Sequence, residues 1–214
     1  MSILTPHRPV IDPTATPADA PAEAPAPAST PSTAGTADTA RPSARSGWLA
    51  ALRLTTGFIF LWAFFDKLLG LGFATESQGA WINGGSPTEG FLQGVAVGPF
   101  ESTFHDLAGV AWVDWLFMAG LAGIGIAVMA GIGLRIAAVS GTLLMALMWM
   151  AEWPLARHTS AGDPTFSTNP LVESHVIYAV VLIVIAVTHA GDRWGFGRMW
   201  ARLPFVRRHS AVLR

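Results

Sequence analysis

Ionisable side chains recur at a similar depth in four separate apolar segments of the chain. They are Asp66, Lys67, Asp114, Glu152, His175 and Tyr178. A charge inside a membrane costs at least a few kcal/mol unless it is paired or meets water, so such residues normally face the interior of a helix bundle or a cavity. Asp66, Asp114 and His175 could relay protons, and Lys67 could attract an anion or donate to a quinone carbonyl. The residue types therefore predict a polar pocket, with a structural network of Asp66, Asp114 and His175 as an equal alternative.

Tryptophans accompany this set. Trp112 and Trp115 are three residues apart and lie on either side of Asp114 in the sequence, and Trp149 comes one helical turn before Glu152. An indole can stack on a quinone ring, but indoles are also the usual side chains at a membrane surface. Both interpretations stay open, as does contact of Glu152 with outside water. Lys67 could equally extend its amine to the interface.

The composition predicts the elements that would hold these side chains. Of 214 residues, 51% are hydrophobic and only 13% are charged, whereas soluble domains carry about 25% charge. We predict an all-α integral membrane four-helix bundle. Its spans are expected at about 48–71, 109–132, 133–153 and 171–190, since about 20 apolar residues cross the hydrocarbon layer.

The two ends of the chain differ from this membrane domain. Residues 1–46 are rich in Ala, Pro and Thr and have too little apolar surface to offset the entropy of ordering, which predicts a disordered tail. Residues 191–214 combine six arginines with Trp and Phe. That composition is typical of a basic segment lying on an anionic lipid surface.

Local signals predict where helices begin and pack. Asn169 and Pro170 read as the cap and first residue of the last span, and residues 86–89 (SPTE) read as a capping box that starts a short helix. A stripe of small residues in the second span predicts close helix packing. It consists of Ala119, Gly123, Ala127 and Gly131.

The distribution of basic residues predicts the orientation. With four spans, both chain ends lie on one side, and that side holds eleven of the thirteen Lys and Arg residues. The other side keeps only Lys67 and Arg157. Because cytoplasmic loops carry the excess of Lys and Arg, we expect both ends in the cytoplasm and the two long loops outside.

Several chemistries are excluded or disfavoured. The chain has no cysteine, which excludes disulfide exchange and cysteine-ligated clusters, and its net charge of -1 disfavours nucleic acid. No phosphate-binding or dinucleotide fingerprint is present. His175 and His189 would ligate a pair of haems only with a second helix that carries two facing histidines. Haem on His175 with His105 or His158 remains a weaker alternative, and no metal site is predicted.

Five stretches of the sequence resemble the DoxX/DoxD family of small four-helix membrane proteins. They are RLTTGFIFLWAFFDKLLG, WVDWLFMAGLAGIGIAVMAGIGLRIAA, MWMAEWP, NPLVESHVIYAVVLIVIA and GDRWGFG, and they span about residues 52–200. The resemblance implies a link to quinone-coupled sulfur metabolism, as in the DoxD-type subunit of thiosulfate:quinone oxidoreductase, or to membrane redox-stress complexes. It transfers no catalytic residue to a position in this chain.

Two functional hypotheses follow. The first is a redox-associated membrane subunit that binds quinone, or a small sulfur oxyanion, at the polar pocket, with electrons supplied by a partner subunit or by the quinone itself. The second is a non-catalytic scaffold or a small-solute transporter. Transport usually needs internal repeats or interrupted helices, and the sequence shows neither, so the scaffold is the stronger rival.

Overall fold

A computed structural model describes residues 44–213, with side chains from Gly47 onward; the predicted disordered tail therefore lies almost entirely outside the described residues. Within this range the chain is helical, and its only β contact is an isolated bridge between His158 and Pro164. The helices are α1 (Ala44–Leu69), α2 (Glu89–Gln93), α3 (Glu101–Leu107), α4 (Ala111–Ala130), α5 (Leu134–Glu152), α6 (Ser174–Val187), α7 (Gly197–Trp200), α8 (Pro204–Arg208) and α9 (Ser210–Leu213), with 3-10 turns at Ser77–Gly79, Trp81–Asn83 and Ala190–Asp192.

Three of these helices are long and apolar enough to cross a membrane. They comprise the 23 residues Gly47–Leu69 of α1, the 20 residues of α4 and the 19 residues of α5. Helix α6 is also apolar but has only 14 residues. The all-helical prediction is thus confirmed for the described range, together with three of the predicted apolar helices.

The start of α6 differs from the prediction. Asn169 does accept hydrogen bonds, from the backbone N–H groups of Leu171 and Val172, both at 3.0 Å. These bonds close a turn and do not start the helix. The helix begins at Ser174, and Glu173 is the residue that caps it.

Glycines let the long helices approach each other. Helix α1 packs antiparallel to α4 through Gly57 against Met129 and through Gly125 against Leu61, and α5 meets α6 where Gly141 faces Leu182. A Cβ added at any of these glycines would lie 2.8 Å or less from its neighbour. The predicted small-residue stripe is wrong at Gly123, which faces open space.

The core lies between these helix pairs. It is formed by fully buried side chains such as Phe60, Met118, Ile124, Leu182 and Ile185. The two ends of the helices are connected differently. We call the end that carries the connecting segments 70–110 and 153–173 the loop end, and the end that carries the start of α1 and residues 188–213 the terminal end.

Arg53 organises the terminal end. Its side chain is fully buried, and its guanidinium donates to the carbonyls of Val128 and Met129 at the end of α4 and, at 2.8 Å, to the carbonyl of Trp194. Beside it, Gly131 and Gly191 touch so closely that a Cβ on Gly191 would lie 2.1 Å from the Gly131 carbonyl oxygen. The segment after α6 is therefore fixed against the end of α4.

The C-terminal segment folds back onto α5. Arg135 near the start of α5 donates to the carbonyl of Ala211 at 2.7 Å, and the indole of Trp200 donates to the carbonyl of Leu213 at 2.9 Å. Large apolar side chains such as Phe205 remain exposed along it. This arrangement is compatible with the predicted interfacial segment, which stays a prediction.

Candidate functional site

Two carboxylates and an imidazole meet at the loop end of α5 and α6. The Nδ1 atom of His175 lies 2.9 Å from Glu173 Oε2 and 3.6 Å from Glu152 Oε2. One donor atom from each of the three residues lies within 4.8 Å of the other two. The His175 side chain is 9% exposed, that of Glu173 20% and that of Glu152 46%. We call these three residues the acidic cluster.

Local chain geometry brings the cluster together. Helix α5 ends at Glu152 because Trp153 adopts a left-handed conformation with φ 39°. Glu173 is extended and caps α6, so its Oε2 atom accepts from the backbone N–H of His175 at 2.9 Å and from the Ser174 hydroxyl at 3.0 Å. Its Oε1 atom is buried and has no hydrogen-bond partner among the described residues.

Opposing influences act on the pKa of Glu173. Burial raises this pKa, but the hydrogen bond from the His175 backbone N–H, the charge of the His175 imidazole and the Ser174 hydroxyl lower it by more, so the pKa lies below its usual value. Within residues 44–213, neither Glu152 nor Glu173 forms a salt bridge with a lysine or arginine. Among the described residues, the His175 imidazole is therefore the one basic group paired with the two carboxylates.

A cavity of about 620 Å³ adjoins the acidic cluster. It lies between helix α2 with the residues that follow it and the segment that connects α5 to α6, and both Glu152 and Glu173 form part of its wall. Most of the remaining wall is apolar or carries hydroxyl and amide groups. These residues include Phe91, Val95, Val97, Pro154, Thr159, Thr165, Phe166, Ser167, Thr168 and Asn169.

Some polar groups of the cavity wall are already engaged. The Thr165 hydroxyl donates to the Ala156 carbonyl and the Ser167 hydroxyl to the Pro154 carbonyl, both at 2.7 Å. Asn169 accepts two backbone N–H groups through Oδ1, which identifies its other terminal atom as the NH₂ group. That NH₂ group makes no hydrogen bond within the described range and can donate to a ligand.

Asp114 is a structural residue at the loop end. It is 6% exposed, and its Oδ1 atom accepts from the Ser86 hydroxyl at 2.9 Å, the Thr88 backbone N–H at 3.1 Å and the Thr88 hydroxyl at 2.6 Å. Ser86 also accepts from the Glu89 backbone at 3.1 Å. The capping-box prediction is wrong about the helix start, because α2 begins at Glu89 with Thr88 as its N-cap residue, and Ser86 and Pro87 precede the helix. Asp114 thus ties the first long connecting segment to α4.

Asp66 holds the same segment at an earlier point. It is 2% exposed and accepts from the backbone N–H groups of Phe73 at 3.3 Å and Ala74 at 3.0 Å. No hydrogen bond or ion pair between described residues joins Asp66, Asp114 and His175 to one another. Neighbouring Lys67 is half-buried, and within residues 44–213 it makes no salt bridge. Of the predicted ionisable set, Glu152 and His175 are the ones that the structure brings together.

The predicted aromatic residues have separate surroundings. Trp115 is 65% exposed and packs edge to face on Trp81, with ring centroids 4.6 Å apart, and Trp112 is 60% exposed. The Trp149 indole donates to the Leu171 carbonyl at 3.1 Å. Tyr178 is half-buried against the core. None of these four rings is part of the wall described for the cavity.

Glu173 is the residue that the sequence reasoning missed. A signal was present, because Glu173 precedes His175 by two residues and stands just before an apolar helical run. The interpretation of Asn169 and Pro170 as the helix start placed Glu173 inside the span and hid its role as a cap. The comparisons with known proteins add no further residue, since the chain matches no family model, no curated protein and no solved structure.

Proposed function

We propose that this chain is an integral membrane protein with four spans that resembles the DoxX/DoxD family, and that its cavity at the loop end binds the headgroup of a quinone. The membrane part of the proposal is supported by the large apolar side chains that face outward along the long helices. Those more than half exposed include Phe58, Leu116, Ile126, Val139 and Val187. Contiguous apolar surface of this kind is covered by lipid or protein.

Helix α6 would be the fourth span. Its 14 residues measure about 21 Å at ~1.5 Å per residue, less than the ~30 Å of hydrocarbon. The exposed apolar residues Leu171 and Val172 extend it at the loop end. A span this short would leave the acidic cluster near the level at which water reaches the protein, and contact with water would lower the cost of its charge.

The distribution of Lys and Arg supports an outside location for the loop end. Reporter fusions at Gly85 and Gly162 would then show an external position, and a fusion after Arg214 a cytoplasmic one. The reversed pattern would contradict the orientation. It would also place the cavity on the opposite side of the membrane.

The observation that carries the quinone proposal is the wall of the cavity. Phe91 and Phe166 offer ring surfaces of the kind on which a flat ligand packs, and the unused NH₂ group of Asn169 offers a donor to a quinone carbonyl. A negatively charged sulfur oxyanion is disfavoured here, because Glu152 and Glu173 lie in the same wall without a neutralising lysine or arginine among the described residues.

The redox role extends the same proposal to a partner. The chain has no cysteine, and a quinone that is oxidised or reduced exchanges electrons with a second carrier. That carrier would be a cofactor on a partner redox subunit. The rival function, a scaffold for a membrane redox-stress complex, predicts the same fold without quinone binding.

Binding of short-chain ubiquinone and menaquinone analogues tests the proposal, with the purified protein in detergent and quenching of tryptophan fluorescence as the signal. We expect saturable quinone binding and no thiosulfate binding. Phe91→Ala should weaken binding about tenfold, since loss of one aromatic contact is worth roughly 1.5 kcal/mol.

Phe100→Ala is the matched control. Phe100 is similarly exposed, 45% against 39% for Phe91, and lies in the same connecting segment but outside the cavity wall. Equal binding by the Phe91→Ala variant and the parent would place the quinone elsewhere. No saturable binding by the parent would favour the scaffold.

A further inference from the structure

The acidic cluster contains one feature that its hydrogen bonds leave unexplained. The Oε1 atom of Glu173 is buried without a partner among the described residues, although buried polar atoms are nearly always satisfied. A hydrogen-bonded cap on α6 needs only Oε2 of Glu173, so Oε1 is free to join Oε2 in bidentate coordination of an ion. The His175 side chain is nine-tenths buried, and its Nδ1 atom lies within 3.6 Å of both carboxylates.

The spacing of the three donor atoms matches a metal coordination sphere. Two ligands of one transition-metal ion, each about 2.0 to 2.2 Å from it, lie roughly 3 to 3.5 Å apart. The distances from His175 Nδ1 to Glu173 Oε2 and Glu152 Oε2 are 2.9 and 3.6 Å. Rotation of the exposed Glu152 carboxylate alone would adjust the remaining distance, which is at most 4.8 Å.

The donor atoms of these three residues favour some metal ions over others. Imidazole nitrogen suits zinc, copper, iron and nickel, whereas carboxylate oxygen suits harder cations such as manganese. One nitrogen with two carboxylates and no thiolate favours Zn²⁺, Fe²⁺ or Mn²⁺ over Cu⁺. It also disfavours Ca²⁺ and Mg²⁺, which take oxygen ligands.

We propose that Glu152, Glu173 and His175 bind one divalent transition-metal ion. With three protein ligands, at least one coordination position stays open, as in catalytic zinc sites, and this position faces the cavity because Glu152 and Glu173 form part of its wall. The backbone N–H of His175 and the Ser174 hydroxyl hold the Glu173 carboxylate in place. The inference rests on the cluster alone and does not require a quinone.

Titration with Co²⁺ tests the site directly. The full-length protein is purified in detergent through an affinity tag without histidines, stripped with a chelator and titrated while its visible absorption is recorded. We expect one saturable Co²⁺ per chain, with the ligand-field bands of nitrogen and oxygen coordination, and displacement of that Co²⁺ by Zn²⁺.

Two variants and one control locate the ion. Glu152→Gln should weaken Co²⁺ binding about tenfold or more, since even loss of an outer partner of a metal ligand typically costs that much, and His175→Gln should weaken it further. Glu152 makes no hydrogen bond within the described range and is 46% exposed, so its variant should fold even if the His175 variant does not. Glu76→Gln changes an exposed carboxylate outside the cluster and should bind like the parent.

Two results would overturn the inference. The first is a parent protein that shows no saturable Co²⁺ binding, which would leave the cluster as a hydrogen-bonded helix cap. The second is equal binding by Glu152→Gln and the parent, which would place the ion elsewhere. Quinone binding is measured separately, so failure of this inference does not affect the proposed function.

Discussion

The two ends of the helices use buried charge in different ways. At the terminal end, Arg53 is enclosed by backbone. A Cβ at Gly131 or Gly195 would lie 3.3 or 3.1 Å from its guanidinium, and three carbonyls accept its hydrogen bonds. At the loop end, Glu152 and Glu173 border a cavity of about 620 Å³. Among the described residues, both ends hold a buried atom without a hydrogen-bond partner, Arg53 Nε and Glu173 Oε1. Both ends also have a cavity, but only the cavity at the loop end has two described carboxylates in its wall.

Burial alone does not distinguish the ionisable residues that hold the fold together from those that could bind a ligand. Contact with a cavity distinguishes them more clearly. Arg53, Asp66 and Asp114 are among the most buried ionisable residues of the described range, and each binds a neighbouring part of the chain. The half-exposed Glu152 makes no such bond within the described residues. Charge that is buried and satisfied holds the fold, whereas charge beside an accessible cavity is available for binding.

The largest expected effect is at Arg53. Arg53→Met would remove the side-chain donor from three carbonyls, although the Val128 carbonyl would keep its bond from the Gly131 backbone N–H, and we expect a loss of at least about 3 kcal/mol in the free energy of unfolding. Thermal unfolding in detergent and the yield of folded protein measure this loss. Arg135→Met removes an exposed arginine at the same end and should change stability by about 0.5 kcal/mol or less. Equal effects of the two variants would show that Arg53 does not fix the terminal end.

A smaller effect is expected at Asp114. Asp114→Ala removes the acceptor for Ser86 and Thr88, and we expect a loss of about 2 kcal/mol, since hydrogen bonds to a charged group are worth about 1.5 to 3. Limited proteolysis should then cut within residues 70–110. The control is Asp106→Ala, which changes an exposed carboxylate of the same segment.

Quinone binding by the Asp114→Ala variant distinguishes a structural role of Asp114 from a direct role in the ligand site. If Asp114 acts only through the fold, quinone affinity of the folded fraction of Asp114→Ala should stay within about threefold of the parent, a difference worth less than 1 kcal/mol. Complete loss of binding in a stably folded variant would instead make Asp114 part of the ligand site.

The sequence was sufficient for the features that depend on short stretches. Apolar length predicted the long helices α1, α4 and α5. The turn between α4 and α5 lies at the boundary expected between the second and third spans, where Gly131 and Gly133 adopt positive φ. The capping pattern predicted the hydrogen bond from the Glu89 backbone N–H to the Ser86 hydroxyl, although α2 begins only at Glu89. In each case the physical cause lies within a few residues.

The features that were missed depend on contacts between distant residues. For Asp66 and Asp114 the sequence left a shared pocket and a structural network open, and only the fold shows that a long connecting segment donates hydrogen bonds to both. Glu173 was hidden because Asn169 and Pro170 offered a stronger local helix start. Gly123 and Gly125 are two positions apart in α4. Gly125 contacts Leu61 of α1 and Gly123 does not, because of where α1 lies in the fold.

Photoaffinity labelling with an azido-quinone tests whether the ligand site lies at the loop end, because it compares the two ends of the helices in one experiment. The terminal end also has a cavity, of about 560 Å³, beside Thr188, His189 and Trp194. We expect specific labelling, meaning labelling that excess unmodified quinone prevents, in peptides covering residues 89–97 and 153–169. Label confined to residues 188–198, or label that excess quinone does not reduce, would contradict the claim that the loop end is the ligand site.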